Sequence, residues 1–157
     1  MKVINEMRLT LTSRSANEGL ARAAVATLAA QLDPTLDELG DIKTAVSEAV
    51  TNCVVHAYPD SIGRIYIMAR LFEGGVIEIA VRDTGLGIPD VEKARKAMFT
   101  TGGSERSGMG FTIMESFTDS LRVRSVPGKG TTVVMRKRLA LRASGVRAPE
   151  AETGNPA

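Results

Sequence analysis

Apolar and polar residues follow a helical period between Asp41 and Tyr58, and we take this segment as the centre of the fold. Its apolar side chains recur three and four residues apart over four turns, which is typical of an amphipathic helix packed on a core. A capping box formed by Thr35 and Glu38 precedes the segment, and Pro59 marks its end. The pattern therefore predicts one continuous helix between these signals.

Three polar side chains interrupt this helix at every fourth position and form one stripe along it: Glu48, Asn52 and His56. A solvated stripe on a core helix is the simplest interpretation, because surface helices commonly have one polar face. The stripe is narrow, however, and a carboxylate one turn from an amide can place a proton acceptor beside a metal or phosphate ligand. Both interpretations stay open on this evidence.

Shorter patterns predict the remaining elements. A Gly74-Gly75 turn joins two alternating segments into a β-hairpin, and a second hairpin turns across residues 127–130. A second capping box, Ser15 with Glu18, opens another helix. The predicted strands are 7–12, 64–73, 76–82, 121–126 and 131–137, and the predicted helices lie at 15–32, at 35–58, within 90–107 and from 108 onward.

Helices grouped with antiparallel hairpins are typical of an α+β protein. We predict a two-layer sandwich in which a mixed, mostly antiparallel sheet carries helices on one face. The 157 residues are enough for one domain with its own core. We assign residues 1–139 to this domain and residues 140–157, which are small, polar and proline-containing, to a disordered tail.

Composition excludes several classes of protein. A net charge of +2, with four Phe, two Tyr and no Trp, does not provide the basic, aromatic surface that binds nucleic acid. One Cys excludes an internal disulfide, and one Cys with one His argues against zinc. No apolar run approaches about 18 residues and no signal pattern opens the chain, so we expect a cytoplasmic protein without a membrane segment.

Two glycine pairs indicate chemistry. Asp83 ends a predicted strand, and the Gly85 and Gly87 that follow lack a β-carbon and let the backbone approach a ligand closely. Gly108 and Gly110 are expected to open a helix, whose free N–H groups and dipole attract anions. Each pair alone is more often an ordinary turn. The sequence has no Walker A motif and no dinucleotide-binding glycine motif after its first strand, so a P-loop and a Rossmann site are excluded.

The order of these motifs resembles the GHKL ATP-binding superfamily, which includes gyrase B, histidine kinases and MutL. The resemblance covers residues 5–138, and the strings SEAVTN, FTT and ERSGMGFTIME are most similar to the anti-sigma serine kinases of sporulation. Stress-response anti-sigma kinases are near relatives. The segments that match the N, G1, G2 and GT boxes of the superfamily are Glu48 with Asn52, Asp83 to Gly87, Gly108 with Gly110, and Gly130-Thr131.

The resemblance implies a site for ATP and Mg²⁺. Asp83 would bind the adenine amino group, with Thr131 nearby through water. Glu48 would be the general base that takes the proton from a serine hydroxyl, and Asn52 would be the Mg²⁺ ligand. The remaining implied nucleotide contacts are Gly85, Gly87, Thr100, Thr101, Arg106, Gly108 and Gly110.

Residues 100–107 match the ATP lid of the superfamily, in which Arg106 would meet the γ-phosphate. The lid departs from the family pattern at Gly102 and Gly103, where larger and more charged residues are expected. His56 would be structural. Because the sequence has no second His to accept a phosphoryl group, a complete histidine kinase is excluded.

The resemblance also implies partners. It predicts a homodimeric anti-sigma factor that binds a sigma factor of the sigma-F type and phosphorylates a serine of its anti-anti-sigma protein. Glu18 and Arg22 match the acid and arginine that both partners contact, although their four-residue spacing by itself favours an ordinary surface ion pair.

One other function stays open, a non-catalytic module that binds its sigma factor in an ATP-dependent way. A third function, an ATPase of the gyrase or MutL kind, is disfavoured. The presence of Glu48 favours the kinase, because a pure binding module has no need of a base at that position. The ATPase would need a transducer domain that the sequence lacks.

Overall fold

A computed structural model describes residues 1–96 and 105–140. Within them, strands and helices form a two-layer α+β fold. A 3₁₀ turn, Ala30–Leu32, extends the first helix, and a π turn, Cys53–Ala57, extends the second. In chain order the elements are β1 (Val3–Thr12), α1 (Asn17–Ala29), α2 (Leu36–Asn52), β2 (Arg64–Phe72), β3 (Val76–Asp83), α3 (Val91–Arg95), α4 (Glu105–Phe117), β4 (Ser120–Val126) and β5 (Gly130–Arg138).

The five strands form one sheet in the order β1-β2-β3-β5-β4. Each of the four pairings is antiparallel. The predicted α+β sandwich is confirmed, and the sheet of the described residues is wholly antiparallel rather than mixed. β1 begins at Val3, earlier than the predicted Met7, because a register shift between Val3 and Asn5 breaks the alternation there.

Alternation along the strands places one face of the sheet against the helices. In β2, Ile65, Ile67 and Leu71 are buried, and the intervening residues on the other face are partly exposed. β3 adds Ile79 and Val81 to the same layer, because residues opposite each other in antiparallel strands share a face. Full burial of an aliphatic side chain of this size contributes roughly 1.5–3 kcal/mol. This apolar layer therefore fixes which side of the sheet the helices cover.

The predicted central helix, α2, contacts both α1 and α4. Its side chains Ile42, Val46 and Val50 repeat every fourth residue and are almost fully buried. The predicted capping box is confirmed, because Thr35 Oγ1 accepts from the Glu38 N–H at 3.1 Å and Glu38 Oε1 accepts from the Thr35 N–H at 2.9 Å. The start and the buried face of α2 were therefore predictable from the sequence.

Glu38 also binds the main chain that follows β5. Its Oε2 accepts from the N–H of Ala140 at 2.7 Å. Although burial favours the neutral acid, the hydrogen bonds from Thr35 and Ala140, together with the charge of Lys137, lower the pKa of the Glu38 carboxyl. One carboxylate thus joins the start of α2 to the residues that follow β5.

The capping box predicted at Ser15 is wrong. α1 begins at Asn17 with Ala16 as its N-cap residue, and no side chain caps it. Glu18 pairs instead with Arg22, at 3.1 Å, so its carboxylate is not directed back to the helix start. Glu18 therefore forms an ion pair with Arg22, one turn further along α1, and does not take part in a cap.

The single continuous helix predicted up to Pro59 is also wrong in its last turn. After Asn52 the chain forms the π turn Cys53–Ala57, in which the N–H of Tyr58 donates to the carbonyl of Cys53 at 3.1 Å. Single π turns are rare and occur frequently at functional sites. One turn is too short for apolar spacing to distinguish the two helix types.

α4 starts at Glu105, three residues before the predicted start at Gly108. Gly108 and Gly110 therefore lie inside the helix, and the expectation that they open it is wrong. The first three residues of α4 carry no apolar side chain, so the apolar pattern could not show them.

Three of the sequence predictions lie outside the described residues. They concern the lid residues Thr100 and Thr101, the departure from the family pattern at Gly102 and Gly103, and the tail beyond Ala140. Across residues 1–96 and 105–140, no helix is both long enough and apolar enough to cross a membrane.

Candidate active site

Asp83 ends β3 and is buried below the helix layer, with 7% of its surface exposed. Its Oδ1 accepts from the backbone N–H of Gly85 at 3.0 Å and from that of Thr131 at 3.2 Å. Its Oδ2 lies 3.6 Å from Cys53 Sγ, at the end of α2. Two backbone donors hold one oxygen in place, so the carboxylate has a fixed orientation before any ligand binds.

Cys53 donates its thiol proton to Asp83. Burial raises the pKa of the Cys53 thiol far above its usual value, and the charge of Asp83 and the hydrogen bond to it raise the pKa further. The thiol is therefore neutral at physiological pH, and an ionised neighbour would repel the Asp83 carboxylate. This contact could not be predicted from the sequence, because Cys53 falls on an apolar position of the helix.

Asp83 lines a cavity of about 230 Å³ between the end of α2 and the sheet. The wall is mostly apolar and carries a few polar groups, which is typical of a site for a small molecule or cofactor. The other polar residues that line it are Asn52, His56 and Thr131, and the apolar ones include Val81, Ile88, Phe111 and Val133.

Thr131 lies beside Asp83 and contacts it directly. The backbone N–H of Thr131 donates to Asp83 Oδ1, and its hydroxyl lies 2.8 Å from Ser125 Oγ. The start of β5 thus fixes the acid through its main chain.

Gly85 and Gly87 allow the chain to approach itself. A β-carbon at Gly85 would lie 2.3 Å from the carbonyl oxygen of Ala57, and one at Gly87 would lie 2.4 Å from that of Val126. Gly87 also has a φ of +74°, which favours glycine. Gly87 lines the cavity, and Gly85 packs on the π turn.

The polar stripe of the central helix reaches the cavity at two of its three positions. Asn52, the last residue of α2, and His56, in the π turn, both line it. Glu48 lies one turn before Asn52 and is partly exposed, outside the residues that line the cavity. Partial burial lowers the pKa of His56, so the ring is neutral at pH 7. His56, which the resemblance treated as structural, belongs to the cavity wall.

α4 forms part of the cavity wall. Phe111 is 5% exposed and lines the cavity, and Gly110 lies against Asn52. Arg106 and Gly108 belong to the first turns of the same helix. The helix therefore brings the second glycine motif to the end of α2, as the motif order predicts.

Glu18 and Arg22 form the predicted pair on α1, with Arg22 Nη1 3.1 Å from Glu18 Oε1, and both side chains are partly exposed. The same nitrogen lies 3.1 Å from Ser47 Oγ on α2. Because Ser47 precedes Glu48, the arginine is held by the helix that carries the predicted base. The sequence could not show Ser47, since this contact joins two helices.

No cluster of three or more His, Cys, Asp or Glu in the described parts of the chain could hold a metal ion. Asn52 nevertheless offers an amide group at the cavity wall. Mg²⁺ in phosphoryl-transfer sites keeps several waters and takes its other ligands from one or two side chains and the substrate phosphates. A single amide oxygen therefore fits a magnesium ion that arrives with a nucleotide.

Comparison with known proteins identifies the family of the chain. Residues 11–137 match the histidine kinase-like ATPase domain family. The chain is 53% identical to the anti-sigma F factor of Geobacillus kaustophilus over 137 residues, 87% of this chain and 94% of that protein. It is 56% identical to the anti-sigma F factor of Caldanaerobacter subterraneus over 138 residues, 87% of this chain and 96% of that protein.

A solved structure shows the same fold. The RsbU and RsbW domains of a Mycobacterium tuberculosis protein match with a TM-score of 0.64 at 23% identity, over 88% of this chain and 34% of that one. This likeness concerns the fold, and the sequence relatives decide the family. The chain belongs to the histidine kinase-like ATPase domain family and, within it, to the anti-sigma F factors.

Proposed function

We propose that the chain binds a sporulation sigma factor of the sigma-F type and uses Mg-ATP to phosphorylate a serine of the anti-anti-sigma protein. Use of ATP in kinase-type chemistry follows from the family. The observation that carries the proposal is the fixed Asp83 carboxylate in the cavity wall, with Asn52 at the same cavity and Glu48 one turn earlier on α2.

The adenine ring occupies the cavity. Asp83 Oδ1 is already held by two backbone N–H groups, so Oδ2 is the oxygen that accepts from the amino group of the base. The apolar wall, which includes Phe111 and Val133, encloses the faces of the ring. A buried carboxylate acceptor prefers a base that carries a donor at this position and disfavours one that carries a carbonyl oxygen.

The triphosphate extends from the cavity past Asn52 towards Glu48. The amide oxygen of Asn52 would hold a magnesium ion, which would neutralise charge on the phosphates. The phosphates are held by residues of α4 and by two threonines that precede it in the sequence. These residues are Arg106, Gly108 and Gly110, with Thr100 and Thr101. This assignment follows the order of the elements, since α4 lies against the end of α2.

Glu48 acts as the general base. The serine oxygen attacks the γ-phosphorus while its proton passes to the Glu48 carboxylate. The bond between the γ-phosphorus and the bridging oxygen breaks, and ADP leaves with the electron pair of that bond. The position of Glu48 outside the cavity supports this role, because a base for a protein hydroxyl must stand where the substrate protein can reach it.

Glu18 and Arg22 form the contact that the sigma factor and the anti-anti-sigma protein share. The guanidinium is partly exposed, and its planar fork can pair with a carboxylate of either partner. Two partners that need one arginine exclude each other, which explains release of the sigma factor. We further propose that the protein works as a homodimer in the cytoplasm, with residues 1–139 as the domain and the following residues as a tail.

One assay tests the kinase reaction. The protein is incubated with γ-labelled ATP, Mg²⁺ and the anti-anti-sigma protein, with the Glu73→Ala variant as a control because Glu73 is exposed in the β2–β3 turn. We expect labelled phosphoserine on the anti-anti-sigma protein with wild type and control alike. Binding of the sigma factor in ATP without any phosphoserine would instead support the non-catalytic binding module.

A further inference from the structure

Tyr58 follows the π turn and is almost completely buried, with 8% of its surface exposed. Its ring packs on the backbone of Gly63, where a β-carbon would lie 2.2 Å from the ring carbon Cε1. Burial and close packing on Gly63 therefore fix the orientation of the ring and the direction of its hydroxyl.

The Tyr58 hydroxyl joins two segments of main chain. It donates to the carbonyl of Arg64 at 2.8 Å and accepts from the N–H of Thr84 at 2.7 Å. The Thr84 hydroxyl lies 3.2 Å from the same oxygen. Because a phenol has one proton and the Arg64 carbonyl can only accept it, the Thr84 hydroxyl is the donor in its contact with Tyr58.

Thr84 is the residue between Asp83 and Gly85. The N–H of Gly85 is one of the two backbone donors that hold Asp83 Oδ1. On the far side of Gly85, the N–H of Leu86 donates to the carbonyl of Ala57, in the π turn. The segment that orients the acid is therefore attached to the end of the central helix through Tyr58 and Ala57.

We propose that Tyr58 is a positioning residue for recognition of the nucleotide base, an inference that rests on the proposed adenine site. Tyr58 does not touch the base. By fixing the Thr84 backbone it sets the direction of the Gly85 N–H and so the orientation of the Asp83 carboxylate. Loss of the hydroxyl leaves the acid in place but lets it rotate, and discrimination between bases falls more than affinity for the phosphates.

The test compares two matched variants, because the chain has two tyrosines. Tyr66 lies on the other face of the sheet, where the Arg82 guanidinium stacks on its ring at 4.2 Å. Tyr58→Phe and Tyr66→Phe each delete one hydroxyl. Calorimetry measures the affinity of each protein for ATP and for inosine triphosphate, which carries an oxo group where ATP carries the amino group.

We expect wild type and Tyr66→Phe to prefer ATP by the same factor, and Tyr58→Phe to lose about 3- to 10-fold of this preference, the equivalent of one hydrogen bond. A merely structural role would weaken both nucleotides equally and leave the ratio unchanged. An unchanged ratio in folded Tyr58→Phe would therefore overturn the inference. Wild type without any preference for ATP would overturn the proposed adenine site itself.

A second measurement tests the inference without the Tyr58→Phe variant, in case that variant does not fold. The chain contains no Trp, so Tyr58 is the only strong fluorophore in Tyr66→Phe. Saturation with ATP should change its emission, because the base tightens the Asp83–Thr84 segment that binds the phenol. Tripolyphosphate, which has no base, should leave the emission unchanged. Equal responses to the two ligands, or no response to ATP, would rule out a link between Tyr58 and the base.

Discussion

Gly110 of α4 lies directly against the side-chain amide of Asn52 at the end of α2. A β-carbon at position 110 would stand 2.9 Å from Asn52 Oδ1 and 3.2 Å from Asn52 Nδ2. The second glycine motif therefore allows two helices to approach at the residue that we assign to magnesium. The structural role of Gly110 is to let α4 pack on α2. This role is separate from the proposed donation of N–H groups to phosphate.

Gly110→Ala should lower the affinity for Mg-ATP about tenfold, because the new methyl group displaces the Asn52 amide from its position. Gly40→Ala is the matched control, since a β-carbon at position 40 of α2 meets nothing within 4 Å. The control should keep its ATP affinity and unfold at higher denaturant, with a gain of about 0.4–1 kcal/mol. Titration calorimetry in the presence of Mg²⁺ measures both affinities, and equal values would show that Gly110 does not matter to the site.

Asp83→Asn should weaken ATP binding roughly 10- to 100-fold, the value of a hydrogen bond to a charged acceptor. The oxygen of Asn can still accept from Gly85 and Thr131, which leaves its amide N–H₂ facing the amino group of the base. Two donors then oppose each other. Asp60→Asn is a control on an exposed turn. Calorimetry with ATP decides the matter, and undiminished affinity would remove Asp83 from the nucleotide site.

Glu48→Ala should lower the rate of phosphotransfer by about 10²- to 10⁴-fold, the usual contribution of a placed general base. ATP affinity should barely change, because Glu48 does not line the cavity that we assign to adenine. The rate is measured with saturating ATP and anti-anti-sigma protein, beside the Glu73→Ala control. Normal turnover in the Glu48 variant would assign the base to another residue and strengthen the binding-module alternative.

Local sequence signals predicted the parts of this site that lie on one element. The spacing of Glu48 and Asn52 placed both on α2, and the Thr35 capping box located the start of that helix to the residue. The alternation of β3 predicted that Asp83 ends a buried strand. In each case neighbouring residues in the chain carry the information, so no knowledge of the tertiary fold was needed.

Contacts between distant segments could not be predicted in the same way. The hydrogen bond from Cys53 to Asp83 spans 30 residues, and the one from Arg22 to Ser47 spans 25. Cys53 looks like any apolar core position until the sheet is known. The Ser15 capping box failed for the opposite reason, because the local pattern was present but Arg22 attracted the carboxylate that would have completed it.

Arg22→Ala should weaken binding of both the sigma factor and the anti-anti-sigma protein by at least about 1.4 kcal/mol, a tenfold loss for each. Ser47→Ala should have a smaller effect in the same direction, since it removes the hydroxyl that holds the guanidinium but leaves the charge. ATP affinity and the melting temperature should not change, because an exposed ion pair contributes little to stability.

Pull-down and calorimetry with each partner separate the possibilities for Arg22. Arg8→Ala is the control, because Arg8 is exposed on the sheet face that the helices do not cover. Capture of both partners at wild-type strength by folded Arg22→Ala would leave the Glu18 pair as an ordinary surface contact. Loss of one partner alone would contradict release by competition for one arginine.

The buried thiol of Cys53 should make the domain less stable at alkaline pH. In the unfolded chain this thiol ionises near pH 9.0, but in the folded protein burial and Asp83 raise its pKa far above that value. Below pH 9.0 both states hold the proton and the thiol does not affect the pH dependence. Above it only the unfolded state loses the proton, so the free energy of unfolding falls by up to about 1.4 kcal/mol per pH unit. Denaturant unfolding of wild type and Cys53→Ala across this range isolates the effect, because the lysines titrate in both proteins alike. The wild type should lose stability faster than the variant as pH rises, and parallel curves would mean that the folded thiol ionises normally and does not hold the Asp83 carboxylate.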